Sequence, residues 1–372
     1  MQASIEKRVA DGERLTSDES RFLFTEADPF WLGKLAHRVR LARSGRRTYF
    51  VRNRHITPTN ICVHRCAFCS FSADSVDERA FFFSLDEILS TVTADATNGI
   101  DEFHIVGGMP PPQIADYGYF RGLLAALHAQ FPRVHLAAFT AVEIDWFAQL
   151  TGWSYRKVLA DLKDAGLGSL TGGGAEIFDW EVRRRLCPKK VRAEGWLAVH
   201  REAHALGIPT NATMLYGHLE RPEHKVSHLL ALYDLQAETG GFRAFIPLAY
   251  HPQGNRLGRQ LGRSFRTTAL QDLRHLAASR IILHNFPHVK AYWVEFGLKL
   301  AQVMLSWGAD DIEGTVGEEH IYHDAGAGSP QGVAVDELAY LIEQAGFVPV
   351  LRDGAYNELL LPGAVTAGGK KD

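Results

Sequence analysis

The sequence predicts an α/β fold, a partial (β/α)6 TIM-like barrel with an N-terminal helical extension and a C-terminal α/β extension. From Tyr49 onward, short apolar runs alternate with stretches of helical periodicity, a pattern typical of parallel strands joined by crossover helices. Polar or glycine-rich residues follow each apolar run. In α/β barrels the loops after the strands carry the chemistry, so we expect these residues to share one rim of the barrel.

The first 48 residues show helical rather than strand periodicity. Phe22, Phe24, Leu32, Leu35 and Val39 recur at helical spacing among charged residues. We therefore expect this segment to be helical and to pack on the outside of the barrel.

Six strands and their helices can be placed in chain order. The predicted strands are 54–61, 102–106, 134–139, 169–170, 210–215 and 243–247, and the predicted helices include 85–98, 155–165, 193–206 and 223–238. Gly166 and Gly207 follow two of these helices, where a C-cap glycine belongs. The expected organisation is a helical extension at 1–48, a barrel core at 49–280, a closing segment at 281–362 and a disordered tail at 363–372.

Composition and charge exclude several classes of protein. The 372 residues include 46% hydrophobic and 22% charged residues, which argues against wholesale disorder or a coiled coil. A formal net charge of -3 gives no reason to expect nucleic acid or a membrane surface as a partner. The charged N-terminus is unlike a signal peptide, and no apolar run is long enough to span a bilayer. We expect a protein of the reducing cytoplasm.

Three of the four cysteines, Cys62, Cys66 and Cys69, lie in one short loop after the first predicted strand. Their spacing lets three thiolates bind three irons of one 4Fe-4S cluster, and the fourth iron then has no protein ligand. The loop resembles that of radical S-adenosylmethionine (SAM) enzymes, including the aromatic Phe68 before the third cysteine. The resemblance implies that the open iron binds the amine and carboxylate of SAM, with Phe68 close to the cofactor.

Other interpretations of the loop remain open. His64 between the cysteines suggests a Cys3His zinc site, but such sites usually place ligand pairs on two knuckles and the sequence has no second knuckle. Cys187 lies far from the other three cysteines in the sequence, and we expect it to be a buried apolar residue rather than a fourth ligand. A non-catalytic iron-sulfur or zinc-binding protein is the alternative from another functional class.

Gly107 and Gly108 follow the second predicted strand. Glycine lets a ligand approach the main chain closely, and radical SAM enzymes expose backbone at this position to the amine of methionine. We expect both glycines to contribute to cofactor binding. Relatives often carry His-Pro shortly after this pair, where the chain has Pro110-Pro111, and His104 or His64 is the candidate replacement.

The third and fourth predicted strands also end in residues suited to a nucleoside. Gly173 and Gly174 belong to a glycine-rich turn that no Gly-Lys-Ser/Thr follows, so the turn is not a phosphate-binding P-loop. Glu176 after this turn can accept hydrogen bonds from ribose hydroxyls. Thr140 and Glu143 after the third strand are further candidates for cofactor binding.

Histidines and a carboxylate follow the fifth and sixth predicted strands. His218, Glu220 and His251 are the candidate catalytic residues, because neutral histidine can move a proton near physiological pH or pair with a carboxylate. Each of these histidines has a structural alternative as a hydrogen-bonded residue.

Longer stretches resemble the aminodeoxyfutalosine synthase family of the futalosine route to menaquinone. These stretches are 139–144, 172–178, 210–218, 239–242, 245–248 and 307–315, within a resemblance that covers about 15–357. The related cyclic dehypoxanthine futalosine synthases share the cysteine loop and the Gly-Gly-Gly-Ala-Glu sequence and are the alternative within enzymes. The amino-acid sequence around the fifth and sixth predicted strands favours the aminodeoxyfutalosine synthase family.

The resemblance implies a reaction, its cofactors and its partners. A 4Fe-4S cluster cleaves SAM, and the 5'-deoxyadenosyl radical adds to 3-[(1-carboxyvinyl)oxy]benzoate, followed by rearrangement and decarboxylation to 6-amino-6-deoxyfutalosine. An electron donor such as flavodoxin or ferredoxin is the expected partner, and the oligomeric state stays open. The substrate carries two carboxylates, so we expect cationic or hydrogen-bonding groups at its end of the barrel, with Asn211, Thr213 and Arg256 as candidate substrate-binding residues.

Overall fold

Parallel strands form the centre of the structure, a computed structural model that describes residues 1–96 and 99–361. The strands are β1 (Arg47–Val51), β2 (Asn53–Ile56), β3 (Glu102–Ile105), β4 (His135–Ala138), β5 (Thr210–Tyr216), β6 (Phe242–Ala249), β7 (His288–Val289), β8 (Asp311–Gly314) and β9 (Val348–Arg352).

The barrel is assembled from two parallel sheets and the short bridges that join them. β2, β3 and β4 pair in order, and β5, β6 and β7 do the same. Residues 169–170 bridge β4 to β5 by two isolated parallel pairs. Beyond β7, Lys290 pairs with Asp311 at the start of β8, and Gly317 pairs with Arg54 of β2. These pairings close the ring, and the predicted α/β barrel fold is confirmed.

Helices surround the ring, and the described helices are α1 (Gln2–Ala10), α2 (Ser17–Thr25), α3 (Pro29–Ser44), α4 (Leu85–Ala96), α5 (Tyr117–Gln130), α6 (Ala141–Thr151), α7 (Tyr155–Asp164), α8 (Trp180–Leu186), α9 (Ala193–Ala205), α10 (Pro222–Thr239), α11 (Arg256–Leu261), α12 (Ala269–Ile282), α13 (Trp293–Phe296), α14 (Leu298–Met304), α15 (Ile321–Asp324) and α16 (Val335–Gln344), with a 3-10 turn at Leu305–Trp307. Within the described ranges, none of the helices has the length and apolar character needed to cross a membrane. The predicted tail at 363–372 lies outside the described residues.

The first strand of the ring is shorter than predicted. The sequence predicts 54–61, whereas β2 ends at Ile56. Pro58 has no N–H to donate to a ladder, and after it the chain makes only isolated bridges, at Thr59 and Ile61. The shorter strand frees this segment to turn into the cysteine loop.

A small third sheet was not predicted. β1 pairs in parallel with β8 on one side and β9 on the other. The buried side chain of Arg40 ties α3 to this sheet, because its guanidinium donates to the carbonyl of Arg47 (2.8 Å), the hydroxyl of Thr48 (2.7 Å) and the carbonyl of Ala309 (3.2 Å). The predicted boundary between residues 48 and 49 falls inside β1.

Candidate active site at the cysteine loop

Three separate segments hold the cysteine loop by backbone hydrogen bonds. The N–H of Val63 donates to the carbonyl of Met109 (2.9 Å), and the N–H of Ala67 donates to the carbonyl of Leu186 (2.7 Å). The N–H of Leu257 in α11 donates in turn to the carbonyl of Ala67 (2.7 Å). Since these partners are far apart in sequence, the loop conformation depends on the folded barrel.

Cys62, Cys66 and Cys69 line one cavity of about 270 Å³ at the carboxyl ends of the strands. All the cysteines of the chain are free thiols. The residues predicted to bind the cofactor line the same cavity: Phe68, Gly107, Gly108, Thr140, Glu143, Gly173, Gly174 and Glu176. Thr213, predicted to bind substrate, also lies in this wall.

The donor set of the cavity fits an iron-sulfur cluster with one open iron. Neither Cys187 nor His64 belongs to the cavity wall, so the loop offers three thiols there and no fourth ligand of its own. Burial raises the pKa of Cys66 and of Cys69. Iron binding therefore has to displace thiol protons. In the described part of the chain, no three side chains already stand at metal-ligand spacing, so assembly requires the thiols to turn toward a common centre.

Gly107 and Gly108 allow their loop to pack against the backbone before the cysteines. The N–H of Gly108 donates to the carbonyl of Thr59 (2.7 Å). A Cβ on Gly108 would collide with the carbonyl of Ile61, and one on Gly107 would lie 3.0 Å from the carbonyl oxygen of Thr59. Close packing of two loops therefore requires glycine here, in addition to any approach of a ligand.

Thr140 and Glu143 form a capping box at the start of α6. The hydroxyl of Thr140 accepts from the N–H groups of Val142 (3.2 Å) and Glu143 (3.4 Å), and Glu143 Oε2 accepts from the N–H of Thr140 (2.7 Å). Burial raises the pKa of Glu143 to about 7, although the hydrogen bonds from Thr140 oppose that rise. A carboxyl group in the cavity wall thus changes charge near neutral pH.

Buried side chains fix the glycine-rich turn. Arg183 is 1% exposed and donates to the carbonyls of Gly174 (3.4 Å) and Ala175. Trp196 donates from Nε1 to the carbonyl of Gly173 (3.2 Å). These bonds satisfy main-chain carbonyls that no strand partner reaches, and they orient the turn toward the cavity.

Glu176, at the end of this turn, forms a buried ion pair with Lys190. The Lys190 Nζ lies 2.6 Å from Glu176 Oε1, and the ammonium lies 5.4 Å from the ring centroid of Phe68. Burial by itself raises the pKa of Glu176, but Lys190 and Arg183 outweigh burial and hold that pKa below its usual value. The carboxylate is therefore ionised. Lys190 was not predicted to line the site, and its only signal in the sequence was the Lys189-Lys190 pair after Cys187.

Further polar residues of the cavity wall, His55, His104 and Glu313, come from β2, β3 and β8. The rings of His55 and His104 stack with centroids 4.6 Å apart. Glu313 Oε2 lies 2.8 Å from the Nζ of Lys290, which is outside the wall. Burial lowers the pKa of both histidines, so both are neutral at pH 7. Of the two histidines offered as replacements, His104 lines the cavity and His64 does not.

Tyr292 after β7 and Tyr322 after β8 add an aromatic side to the cavity. The rings of Tyr292 and Tyr322 lie 5.7 Å apart in an edge-to-face arrangement. Glu319 accepts a hydrogen bond from His323 Nδ1 (2.9 Å), and His323 Nε2 donates to the carbonyl of Ser329 (3.0 Å). The bond to Glu319 raises the pKa of His323 to about 9. The protonated imidazole therefore links Glu319 to the carbonyl of Ser329. None of these residues was predicted to line the site.

His218 and Glu220 lie outside the cavity wall, in the turn after β5. Glu220 accepts from the N–H groups of Gly217 (2.7 Å) and His218 (2.9 Å), and His218 Nε2 donates to the carbonyl of Leu215 (2.9 Å). The turn thus uses the polar groups of both residues, and neither residue lines the cavity as expected.

Three other predicted residues also lie outside this wall. His251 packs its ring against Tyr322 at 5.0 Å, and its Nδ1 has no hydrogen-bond partner. Asn211 lies in β5 two residues before Thr213, and Arg256 begins α11 and lines a second pocket beside the cysteine loop. Their catalytic and substrate-binding roles stay predictions.

The barrel and its loop of three free thiols define the class of radical SAM enzymes, and sequence comparison agrees. The profile of the Radical SAM superfamily matches residues 56–232, and that of the CofH/MqnC C-terminal region matches residues 239–365. Aminodeoxyfutalosine synthase of Thermus thermophilus is 46% identical over 355 residues, 95% of each chain, and that of Streptomyces coelicolor is 42% identical over 366 residues, 96% of this chain and 94% of its own. The chain belongs to the aminodeoxyfutalosine synthase family of radical SAM enzymes.

More distant relatives share the architecture. The 5-amino-6-(D-ribitylamino)uracil–L-tyrosine 4-hydroxyphenyl transferase of Methanopyrus kandleri is 37% identical over 330 residues, 88% of this chain and 89% of its own. Among solved structures, the hydrogenase maturase HydG of Carboxydothermus hydrogenoformans has a TM-score of 0.71 and 17% identity over 95% of this chain and 80% of its own. Methylornithine synthase PylB has a TM-score of 0.72 and 17% identity over 93% of this chain and 97% of its own. At these identities, the two structures show the fold alone.

Proposed function

We propose that this enzyme joins the 5'-deoxyadenosyl group of SAM to 3-[(1-carboxyvinyl)oxy]benzoate, with rearrangement and loss of the carboxyl group, to form 6-amino-6-deoxyfutalosine. The observation that carries the proposal is a single cavity wall that combines the three thiols, the predicted SAM-binding residues and an aromatic side. The 46% identity to the Thermus thermophilus synthase supports this choice of reaction.

The cofactor end of the cavity has donors and acceptors suited to SAM. Cys62, Cys66 and Cys69 would hold a 4Fe-4S cluster, which supplies the electron that cleaves SAM into methionine and the 5'-deoxyadenosyl radical. The ionised carboxylate of Glu176, which lines the cavity, is suited to accept hydrogen bonds from ribose hydroxyls, and Lys190 fixes it through Oε1. In this proposal, an external one-electron donor such as a flavodoxin or ferredoxin reduces the cluster.

The other side of the cavity suits an aromatic dicarboxylate. Tyr292 and Tyr322 offer ring edges and faces to the benzoate, and Ile246 and Leu248 supply apolar surface that excludes water from the radical. In this proposal the neutral ring of His104, together with His55, donates hydrogen bonds to a substrate carboxylate. Close confinement of the alkene beside the adenosyl carbon is the main contribution of the protein to the rate.

Product analysis tests the proposed reaction. The protein, reconstituted anaerobically with iron and sulfide, is incubated with SAM, dithionite and 3-[(1-carboxyvinyl)oxy]benzoate, and products are identified by mass spectrometry. We expect an adenine-containing adduct with the mass of 6-amino-6-deoxyfutalosine. Cys62→Ala should abolish it, whereas Cys187→Ala, which removes a buried cysteine outside the cavity, should retain it.

Two related reactions are the competing outcomes. A cyclic dehypoxanthine futalosine synthase would consume dehypoxanthine futalosine and release 5'-deoxyadenosine. A transferase like the Methanopyrus kandleri relative would use L-tyrosine and 5-amino-6-(D-ribitylamino)uracil, the substrates in its name. Turnover with either of these sets, and none with the enol ether, would overturn the proposal.

A further inference from the structure

A second pocket of about 200 Å³ also reaches the cysteine loop. Cys66, Cys69 and Ser72 line both this pocket and the main cavity, so the loop contributes to both walls. The rest of the second wall consists of Arg65, Ser70, Arg79, Gly254, Asn255, Arg256 and Arg259. This wall contains four arginines and no acidic residue.

Two of the arginines brace the loop. Arg65 donates to the carbonyl of Ser72 (2.6 Å), and Arg79 donates to the carbonyl of Ser70 (3.2 Å). Ion pairs with two neighbouring aspartates offset their charge. Their role is therefore structural, and their charge is largely compensated.

The other two arginines are free to meet a partner. Arg256 and Arg259 are exposed, and their guanidinium groups have no ion-pair or hydrogen-bond partner among the described residues. Both lie on α11, which the Leu257 N–H ties to the carbonyl of Ala67 between two of the cysteines. Uncompensated positive charge thus lies directly beside the cluster loop.

The surface continues beyond α11 with the same character. The segment 251–271 contains four arginines and neither aspartate nor glutamate. Phe265 is 70% exposed, and the Arg263 guanidinium lies 4.9 Å from its ring centroid. An exposed aromatic residue among arginines is typical of a protein contact surface.

We propose that the arginine surface, defined as Arg256, Arg259, Arg263 and Phe265, docks an acidic electron-carrier protein that bears a flavin or an iron-sulfur centre. Docking there passes one electron across the cysteine loop, so the carrier is oxidised by one electron and the 4Fe-4S cluster is reduced from the 2+ to the 1+ state. The inference rests on the proposed function, because it requires the cluster. A local positive face on a chain with net charge -3 would orient an acidic partner toward this loop.

Arg259→Glu in the reconstituted holoenzyme tests the surface, with Arg133→Glu as the matched control. Arg133 is exposed and precedes β4, at the opposite edge of the barrel. Anaerobic stopped-flow absorbance follows cluster reduction by a purified flavodoxin hydroquinone and, separately, by dithionite. We expect Arg259→Glu to slow reduction by flavodoxin by roughly tenfold or more at low salt and to leave reduction by dithionite unchanged.

Arg259→Gln, which removes the charge without reversing it, should give an intermediate rate. Added salt should slow reduction of the wild-type protein by flavodoxin and narrow the difference between the variants. An unchanged flavodoxin rate in Arg259→Glu, or an equal loss with both reductants, would overturn docking at this surface. A cluster that both reductants reduce, in a protein that makes no adduct, would instead contradict only the proposed reaction.

Discussion

The ammonium nitrogen of Lys190 lies 2.6 Å from a carboxylate oxygen of Glu176, and both residues line the wall that also holds the three cysteines. The Glu176 side chain is buried, and that of Lys190 is 14% exposed. The pair keeps Glu176 ionised in an environment that would otherwise favour the neutral acid. The lysine holds one carboxylate oxygen and so restricts the orientation of the carboxylate before any ligand enters.

Glu176→Gln should weaken SAM binding by roughly tenfold, because an amide oxygen accepts a weaker hydrogen bond from a ribose hydroxyl than a carboxylate does. Isothermal titration of the reconstituted protein with SAM measures this. Glu181→Gln, an exposed change on α8, is the control and should bind SAM as the wild type does. Unchanged affinity in Glu176→Gln would refute the ribose role.

Lys190→Met should destabilise the protein by about 3–5 kcal/mol, because it leaves the Glu176 charge buried without a partner. The double variant Glu176→Gln with Lys190→Met should recover much of that loss. Denaturant unfolding without iron of the wild type, the two single variants and the double variant gives the four free energies of unfolding that a double-mutant cycle needs. Additive effects of the two single changes would show that the two groups are not coupled.

Gly108→Ala should lower the free energy of unfolding by about 1–3 kcal/mol and reduce iron loading, since the new Cβ pushes the cysteine loop away. Iron content after reconstitution and thermal unfolding are the two measurements. Gly328→Ala is the matched control, because a Cβ there meets no atom within 4 Å. Full iron loading in Gly108→Ala would mean that the two loops do not need this close contact.

The ion pair of His323 and Glu319 predicts a pH dependence. The folded pKa of His323, about 9, is above its unfolded value of about 6.5. The stabilisation is therefore fully present below pH 6.5 and is lost as the pH rises through 9. The difference in melting temperature between the wild type and His323→Gln, measured from pH 6 to pH 10, should shrink with rising pH. A difference that grows above pH 8 would contradict the assignment.

Much of the barrel followed from local sequence signals. The predicted strand 102–106 and helix 193–206 match β3 and α9 to within one residue at each end, because apolar runs and a capping glycine mark their limits. β1 and β9 were missed. β1 pairs only with strands more than 250 residues away, and no local pattern reports such a pairing.

Site residues could be predicted where several functional residues lie close together in the sequence. The spacing of Cys62, Cys66 and Cys69 and the glycine-rich turn indicated residues that the structure brings into one cavity. Lys190 and Tyr322 line that cavity from segments distant in sequence from the cysteines, so residue spacing gave no signal for them. His218 has the residue type of a catalyst, but its hydrogen bonds belong to the turn that carries it.

In the proposed function, the cysteine loop holds a 4Fe-4S cluster whose open iron binds SAM. This arrangement can be examined by electron paramagnetic resonance of the anaerobically reconstituted, dithionite-reduced protein, with and without SAM. We expect a 4Fe-4S signal that shifts when SAM is added, is absent in Cys62→Ala and persists in Cys187→Ala. A cluster signal indifferent to SAM, or tightly bound zinc in place of iron, would refute SAM binding at this loop.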